Sequence, residues 1–246
     1  MTVAELVLVR HGESMGNVAA AAAHAAGAEV IEVDRRDADV ELSEVGQEQA
    51  RALGSGLRPL LTDGRPTLVW SSPYVRARRT AALALAAADA GRPVRVDERL
   101  RDRELGVLDL LTSRGIANRY PLEAERRAWL GKFFHRPPGG ESWADVVLRV
   151  RTFLADLAAV PDGTRVVVVC HDALVLSFRY VCEGLDEAGV LAIGASTPVL
   201  NVSITQLVRE PDLSWRLARF NDVAHLEAAG LPVTRHGGEG DVHPRA

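Results

Sequence analysis

The alternation of short β-rich runs with helical stretches is what most constrains the fold of this 246-residue chain. Strands are predicted at residues 6–9, 67–70, 94–96 and 165–170. The last of these, R-V-V-V-V-C, is apolar at nearly every position, which is typical of a strand with both faces buried. Strands that alternate with helices favour a mostly parallel sheet covered by helices. We therefore predict an α/β fold, a three-layer α/β/α sandwich around a mostly parallel sheet.

The remaining elements are predicted from turn and helix signals. Residues 201–208 and 214–220, split by Pro211 and Asp212, fit an antiparallel pair at one edge of the sheet. Helices are predicted from an N-cap at Ser43 to about residue 61, from Pro73 in the first turn to about residue 90, and over residues 141–160. The alanine-rich residues 19–26 fit either a helix or an inserted loop.

Composition and charge bound the domain organisation and the function class. With 47% hydrophobic and 25% charged residues, residues 1–229 are expected to form one globular domain. Residues 230–246 are rich in glycine, histidine, proline and charge, so we expect a flexible tail, and its Arg235-His236-Gly237 is interpreted as a coincidental repeat. The formal net charge of −4 argues against nucleic acid as a partner.

Cysteine content and hydropathy indicate the compartment. Cys170 and Cys182 are too few for a disulfide framework or a thiolate metal site. No run approaches the roughly 18 apolar residues that a membrane span needs. A cytoplasmic location without membrane association is the expectation.

Polar residues with phosphate-binding and acid–base chemistry stand at the ends of the predicted strands. Arg10 and His11 follow the first strand, Arg76 follows the second, Glu104 the third and His171 the fourth. The carboxyl ends of parallel strands share one edge of a sheet, where ligands bind, so these side chains are expected to converge. Guanidinium groups bind phosphate oxygens, an imidazole can accept a phosphoryl group, and a carboxylic acid can protonate the leaving alkoxide. This set needs no metal for phosphoryl transfer.

Several ordered motifs resemble the histidine phosphatase (phosphoglycerate mutase-like) superfamily across residues 3–208. The motifs are L-V-R-H-G-E-S with Asn17, L-S-E-V-G at 42–46, S-S-P at 71–73 with Arg76, R-E-L-G at 103–106, P-G-G-E-S at 138–142, and V-C-H ending at His171. The resemblance implies a phosphoglycerate mutase-like fold and an enzyme that uses no metal, cofactor or nucleotide. His11 would be the nucleophile that becomes phosphorylated, and Glu104 the proton donor. The residues implied in phosphate binding are Arg10, Ser14, Asn17, Arg76 and His171.

Within the superfamily, the pattern looks closest to the fructose-2,6-bisphosphatase branch, with departures. Gly139, Asp172 and Leu176 stand where that branch usually has lysine, glutamine and arginine, which weakens the expected grip on a second phosphate. Asp172 would repel a second dianion unless it bonds to the backbone. Tyr120 and Arg136 are kept as candidates to hold the other end of the substrate.

The predicted function is therefore a metal-independent phosphatase that hydrolyses a small phosphomonoester, such as a sugar phosphate or a phosphoglycerate-like acid. A phosphoglycerate mutase or a true bisphosphatase is the alternative, although only 67 positions separate Glu104 from His171, a short interval as in phosphatases. A non-catalytic protein that binds a phosphorylated ligand is a second alternative. The expected partner is a small phosphorylated molecule, and a homodimer is left open.

Overall fold

A computed structural model describes residues 3–236 of the chain. These residues form six strands in a single sheet, with helices on both faces. The strands are β1 Glu5–Arg10, β2 Thr67–Ser71, β3 Val94–Val96, β4 Arg165–Cys170, β5 Ile204–Arg209 and β6 Trp215–Asp222, in the spatial order β3-β2-β4-β1-β5-β6. The pairs β1–β4, β2–β4 and β2–β3 are parallel, while β5 and β6 add antiparallel strands at the β1 edge. The predicted three-layer α/β architecture is confirmed.

The two faces of the sheet bury separate apolar clusters, as alternating side chains on a strand require. In β4, Val166 and Val168 point to one face and Val167 and Val169 to the other. The helices are α1 Met15–Ala25, α2 Glu44–Thr62, α3 Val75–Ala87, α4 Ser113–Arg119, α5 Pro121–Leu130, α6 Trp143–Asp156, α7 Asp172–Glu183, α8 Glu187–Ser196 and α9 Ala224–Ala228. Helices α6, α7 and α8 cover the first face, and α2, α3 and α9 cover the second.

The predicted helix boundaries agree with the structure to different degrees. Ser43 caps α2 as predicted, with its hydroxyl accepting the N–H of Gly46 at 2.9 Å. The prediction that Pro73 opens α3 is wrong, because Tyr74 is the N-cap and the helix begins at Val75. The helix predicted over 141–160 is shorter, since Ser142 caps it and its last turn becomes a 3₁₀ turn at Leu157–Ala159. The alanine-rich segment is helical, within α1.

The expectation of a tail from residue 230 is wrong for its first residues, because the chain packs onto the domain up to His236. The Gln49 amide donates to the carbonyl of Pro232 at 3.0 Å and to the hydroxyl of Thr234 at 2.9 Å. Thr234 in turn donates to Asn201 at 3.0 Å. Gln49 and Asn201 are fully buried, so these bonds satisfy polar groups that the domain alone leaves open. Residues 237–246 of the predicted tail lie outside the described residues.

Candidate active site

Two buried histidines face each other at the carboxyl edge of the sheet. His11 directly follows β1 and His171 directly follows β4, and the backbone N–H of His11 donates to the carbonyl of Cys170 at 3.0 Å. This bond extends the parallel ladder by one residue and brings the two ring centroids to 5.2 Å. The sheet register therefore sets the spacing of the imidazoles.

The His11 ring is held as a neutral nucleophile. Its Nδ1 lies 2.7 Å from the carbonyl of Gly12, an arrangement that requires Nδ1 to carry the proton and leaves a lone pair on Nε2. Burial and the charges of Arg76, His171 and Arg10 hold the pKa of His11 well below its usual value of 6.5. An unprotonated Nε2 is what attack on phosphorus requires.

Close packing beside His11 explains two glycines of the sequence motifs. A side chain at Gly12 would bring a Cβ within 2.5 Å of the carbonyl oxygen of Gly46, and one at Gly46 would meet the carbonyl of Glu13 at 1.9 Å. Both positions must therefore be glycine for the loop after β1 to pass over the start of α2. The Gly12 N–H donates to Thr80 on α3 at 3.0 Å, which fixes this loop further.

Arg10 and Arg76 supply two permanent positive charges at His11. The Arg10 guanidinium donates from one terminal nitrogen to the carbonyls of Val199 and His236, the latter at 2.9 Å. Arg76 approaches from α3, with its Nε 3.3 Å from Nε2 of His11. Both arginines are buried. A dianion placed between them and His11 would be bound by charge-assisted hydrogen bonds.

His171 is positioned by a hydroxyl and a carboxylate. Its Nε2 lies 2.8 Å from Oγ of Ser72, and its Nδ1 lies 3.1 Å from Oδ2 of Asp102. Asp102 also lies 3.1 Å from a terminal nitrogen of Arg76. Burial opposes the ionisation of Asp102, but its interactions with His171 and Arg76 prevail and hold its pKa well below the usual range.

Two buried donors in this cluster have no aligned hydrogen-bond partner among residues 3–236. They are Nε of Arg10 and Nδ1 of His171, which is near Asp102 but not aligned with it. Buried polar groups are otherwise nearly always satisfied, and an unsatisfied one costs about 1–3 kcal/mol. Nδ1 of His171 faces the Asp102 carboxylate, whereas the Arg10 donor beside the neutral His11 imidazole is suited to an anionic ligand.

Glu104 lies beside this cluster, and its side chain is about half exposed. The hydroxyl of Tyr74 donates to its Oε1 at 2.8 Å. Burial and then Glu104 raise the pKa of Tyr74, which keeps the phenol protonated as that donor. Glu104 lines the same cavity as His11. The structure thus brings together all five strand-end residues of the sequence analysis.

The other predicted binding residues divide into two groups. Ser14 and Asn17 line the cavity while they form a capping box at the start of α1. Asp172 also lines it, and its Oδ1 accepts the N–H of Ala173 at 2.9 Å, the backbone bond that sequence analysis named as a condition. Tyr120 and Arg136 are not among the residues that line this cavity, and their assignment to the other end of the substrate stays a prediction. Nε and one terminal nitrogen of Arg136 bind the carboxylate of Asp145, which also accepts the backbone N–H of Ser142, the N-cap of α6.

Sequence analysis missed Asp37, which lies on a 3₁₀ turn at Asp37–Asp39 between α1 and α2. Its carboxylate binds both terminal nitrogens of Arg76, at 2.9 and 3.1 Å. It also missed Asp102 as a site residue, although Asp102 is two positions before Glu104 and so belongs to the same segment. No sequence signal pairs Asp37 with Arg76, because the contact depends on how residues 26–43, between α1 and α2, fold back.

None of the described residues forms a cluster of three or more histidine, cysteine, aspartate or glutamate side chains that could hold a metal ion. Within residues 3–236, every helix is too short or too polar to cross a bilayer.

Comparison with known proteins agrees with this geometry. The family model for the histidine phosphatase superfamily (branch 1) matches residues 6–223. The chain belongs to the histidine phosphatase superfamily. It is 30% identical over 247 residues to a metal-independent phosphoserine phosphatase of Arabidopsis thaliana, covering 98% of this chain and 90% of the relative. It is 34% identical over 201 residues to a 2,3-bisphosphoglycerate-dependent phosphoglycerate mutase of Methylobacterium radiotolerans, covering 79% of this chain and 87% of the relative.

The fold of this histidine phosphatase also matches solved structures. One is mycobacterial glucosyl-3-phosphoglycerate phosphatase in complex with VO3, with a TM-score of 0.70 and 32% identity, covering 90% of this chain and 100% of that one. The superfamily and the fold implied by the sequence motifs are confirmed, and the named phosphatase relatives support a phosphomonoester hydrolase.

Proposed function

We propose that this chain is a phosphatase that transfers the phosphoryl group of a phosphomonoester to Nε2 of His11 and then to water. The observation that carries the proposal is the His11 ring, whose Nδ1 is bound to the carbonyl of Gly12 while Nε2 faces Arg76 at 3.3 Å. A tautomer fixed in this way directs one lone pair at the place where the two arginines would hold phosphorus.

The reaction has two steps. In the first, the lone pair of His11 Nε2 forms a bond to phosphorus, the P–O bond to the alcohol breaks, and a carboxylic acid gives its proton to the departing oxygen. In the second, the resulting carboxylate takes a proton from water, the hydroxyl attacks phosphorus, and the P–N bond breaks to restore His11. Arg10, Arg76 and His171 hold the phosphoryl oxygens in both steps.

Two carboxyl groups compete for the proton-transfer role. Sequence analysis assigned it to Glu104, whose contacts are with Tyr74 and, at 4.0 Å, with Arg101. Asp102 lies 3.1 Å from both His171 and Arg76 and is therefore closer to the reacting group. An arriving dianion would offset the positive charges that keep Asp102 ionised and so raise its pKa. We infer that Asp102 is the donor and that Glu104 borders the leaving alcohol.

Paired variants separate the two carboxyl groups. An alkyl phosphate needs its leaving oxygen protonated far more than p-nitrophenyl phosphate does, because nitrophenolate is a good leaving group. Asp102→Asn should therefore lower turnover of an alkyl phosphate on the order of 10²-fold or more and affect p-nitrophenyl phosphate much less. Glu104→Gln serves as the matched variant. If Glu104→Gln shows the selective loss instead, Glu104 is the proton donor.

A phosphoglycerate mutase is the second candidate, because one relative carries that name at 34% identity. The bisphosphatase resemblance has less support, since the Asp172 carboxylate and the Leu176 side chain line the cavity where a second phosphate would need cations. The relatives named here act by name on phosphoserine, phosphoglycerates and glucosyl-3-phosphoglycerate, so phosphoglycerate isomers are the first small acids to assay.

Hydrolysis of p-nitrophenyl phosphate in excess chelator tests the proposed function. Wild-type protein should release phosphate, and His11→Ala should lose roughly 10⁴-fold or more of that rate with its thermal unfolding preserved. Faster interconversion of phosphoglycerate isomers than phosphate release would identify a mutase. Binding of phosphate without turnover of any phosphoester would identify the non-catalytic alternative.

A further inference from the structure

The cavity that contains His11 is much larger than a phosphoryl group. Its volume is about 440 Å³, which lies in the range of small-molecule sites. Arg10, His11 and Arg76 are among the residues that line it. The rest of the space is available to the alcohol that the phosphate esterifies.

One wall of this space is apolar and comes from α7, α8 and the segment that follows them. Val190 and Val199 are almost fully buried, and Leu176 is nearly so. Leu191 and Pro198 complete this wall, which contains no charged side chain beyond Asp172 at its start. Gly194 belongs to it as well, where an added Cβ would press on Leu176 at 3.0 Å.

Further apolar side chains come from residues 26–43, between α1 and α2, and from the segment after Glu104. Val40 and Leu108 are buried, while Ile31, Leu111 and Ile116 keep part of their surface open to the cavity. Half-open aliphatic side chains gathered around one cavity favour a ligand that removes them from water.

The charged residues around the cavity carry both signs. The carboxylates of Glu104, Asp109 and Asp172 line it together with the cations of Arg103, Arg127 and Lys132. A second phosphate or a carboxylate would meet attraction and repulsion together, whereas an uncharged alcohol portion depends on neither.

We propose that the alcohol portion of the preferred substrate is apolar, a linear or branched chain or ring of about six carbons or more, packed between the α7–α8 wall and the side chains around Leu108. This inference rests on the proposed phosphatase function. The phosphate provides binding and reactivity at His11, and the apolar portion provides selectivity by burial against Leu176, Leu191 and Leu111.

A series of n-alkyl phosphates tests the inference, because leaving-group reactivity is nearly constant along it. With a partly open cavity, kcat/KM should rise about threefold per added methylene, which gives about a hundredfold between ethyl and hexyl phosphate. Hexyl phosphate should also exceed 3-phosphoglycerate. A flat series, or a preference for 3-phosphoglycerate, would overturn the inference while leaving the phosphatase function intact. Failure to hydrolyse any phosphomonoester would overturn both.

A variant in the α7–α8 wall, measured beside a matched control, tests whether this wall causes the preference for a longer alkyl chain. Leu191→Asn should lower the hexyl-to-ethyl ratio of kcat/KM about tenfold. Leu148→Asn provides the control, because Leu148 is an exposed leucine on α6 outside the cavity and should leave the ratio unchanged. If Leu191→Asn fails to fold, Leu191→Ala is measured in the same way. A ratio that neither Leu191 variant changes would contradict the proposed wall.

Discussion

Asp37 takes three of the five N–H donors of Arg76, so it competes directly with a substrate phosphate. One terminal nitrogen of Arg76 donates to the backbone carbonyl of Asp37 at 2.6 Å and to its Oδ1 at 2.9 Å, and the other donates to Oδ2 at 3.1 Å. The remaining two donors face Asp102 and His11. A phosphoryl oxygen can bind Arg76 only by displacing one of these acceptors. Asp37→Asn should therefore strengthen phosphate binding.

The size of the expected gain in phosphate affinity follows from the charge and the exposure of Asp37. Two unit charges about 6 Å apart interact by roughly 3 kcal/mol at an effective dielectric constant of about 20. The Asp37 side chain is 38% exposed, so solvent screening reduces this to about 1.4 kcal/mol, a factor of about ten in affinity. The asparagine keeps one carbonyl oxygen for Arg76, which limits any loss of orientation.

The assay is competitive inhibition of p-nitrophenyl phosphate hydrolysis by inorganic phosphate. Asp37→Asn should lower the inhibition constant about tenfold, and added salt should shrink the difference. Asp39→Asn is the matched control on the same 3₁₀ turn, because Asp39 pairs with the exposed Arg36 at 3.4 Å and not with Arg76. An inhibition constant that is unchanged or higher in Asp37→Asn would refute competition and leave Asp37 as a support for Arg76.

Two other predictions concern pH and the C-terminal segment. Because burial and neighbouring charges lower the pKa of His11, the unfolded chain takes up a proton below about pH 6.5 that the folded chain does not, so stability falls as the pH drops. The Tm of wild-type protein should decrease more between pH 7 and pH 5 than that of His11→Asn, and equal decreases would contradict the shift. Thr234→Val removes partners of buried Gln49 and Asn201 and should cost about 1–2 kcal/mol of unfolding free energy in denaturant titration. Thr152→Val, on an exposed helix face, should cost less than about 0.5 kcal/mol, and a similar loss in both variants would contradict the reasoning.

The sheet and the centre of the site were predictable from the sequence because local pattern determines them. Residues 165–170 are apolar enough to be a strand buried on both faces, and parallel pairing with β1 then places His11 and His171 together. Helix α8 gave no comparable signal, because small and apolar residues surround it and its sequence lacks the polar face that marks an amphipathic helix.

The contacts that sequence analysis missed join segments far apart in the chain. Asp37 reaches Arg76 across 39 positions, and His236 reaches Glu13 at 2.9 Å across 223. The glycine, proline and charged residues after residue 230 led to the prediction of a tail. No local pattern reveals that the buried Gln49 and Asn201 need the hydrogen-bond partners that this segment supplies. Arg136 pairs with Asp145, a contact that its charge alone did not reveal.

The most direct test of phosphoryl transfer through His11 is the detection of phosphate bound covalently to this residue. When turnover of a phosphomonoester is quenched in base, the account predicts a phosphorylated protein that is stable in base and labile in acid, with the modification mapped to His11 by mass spectrometry and absent from His11→Asn. Turnover that leaves no phosphorylated intermediate under single-turnover conditions, or places it on another residue, would contradict the account.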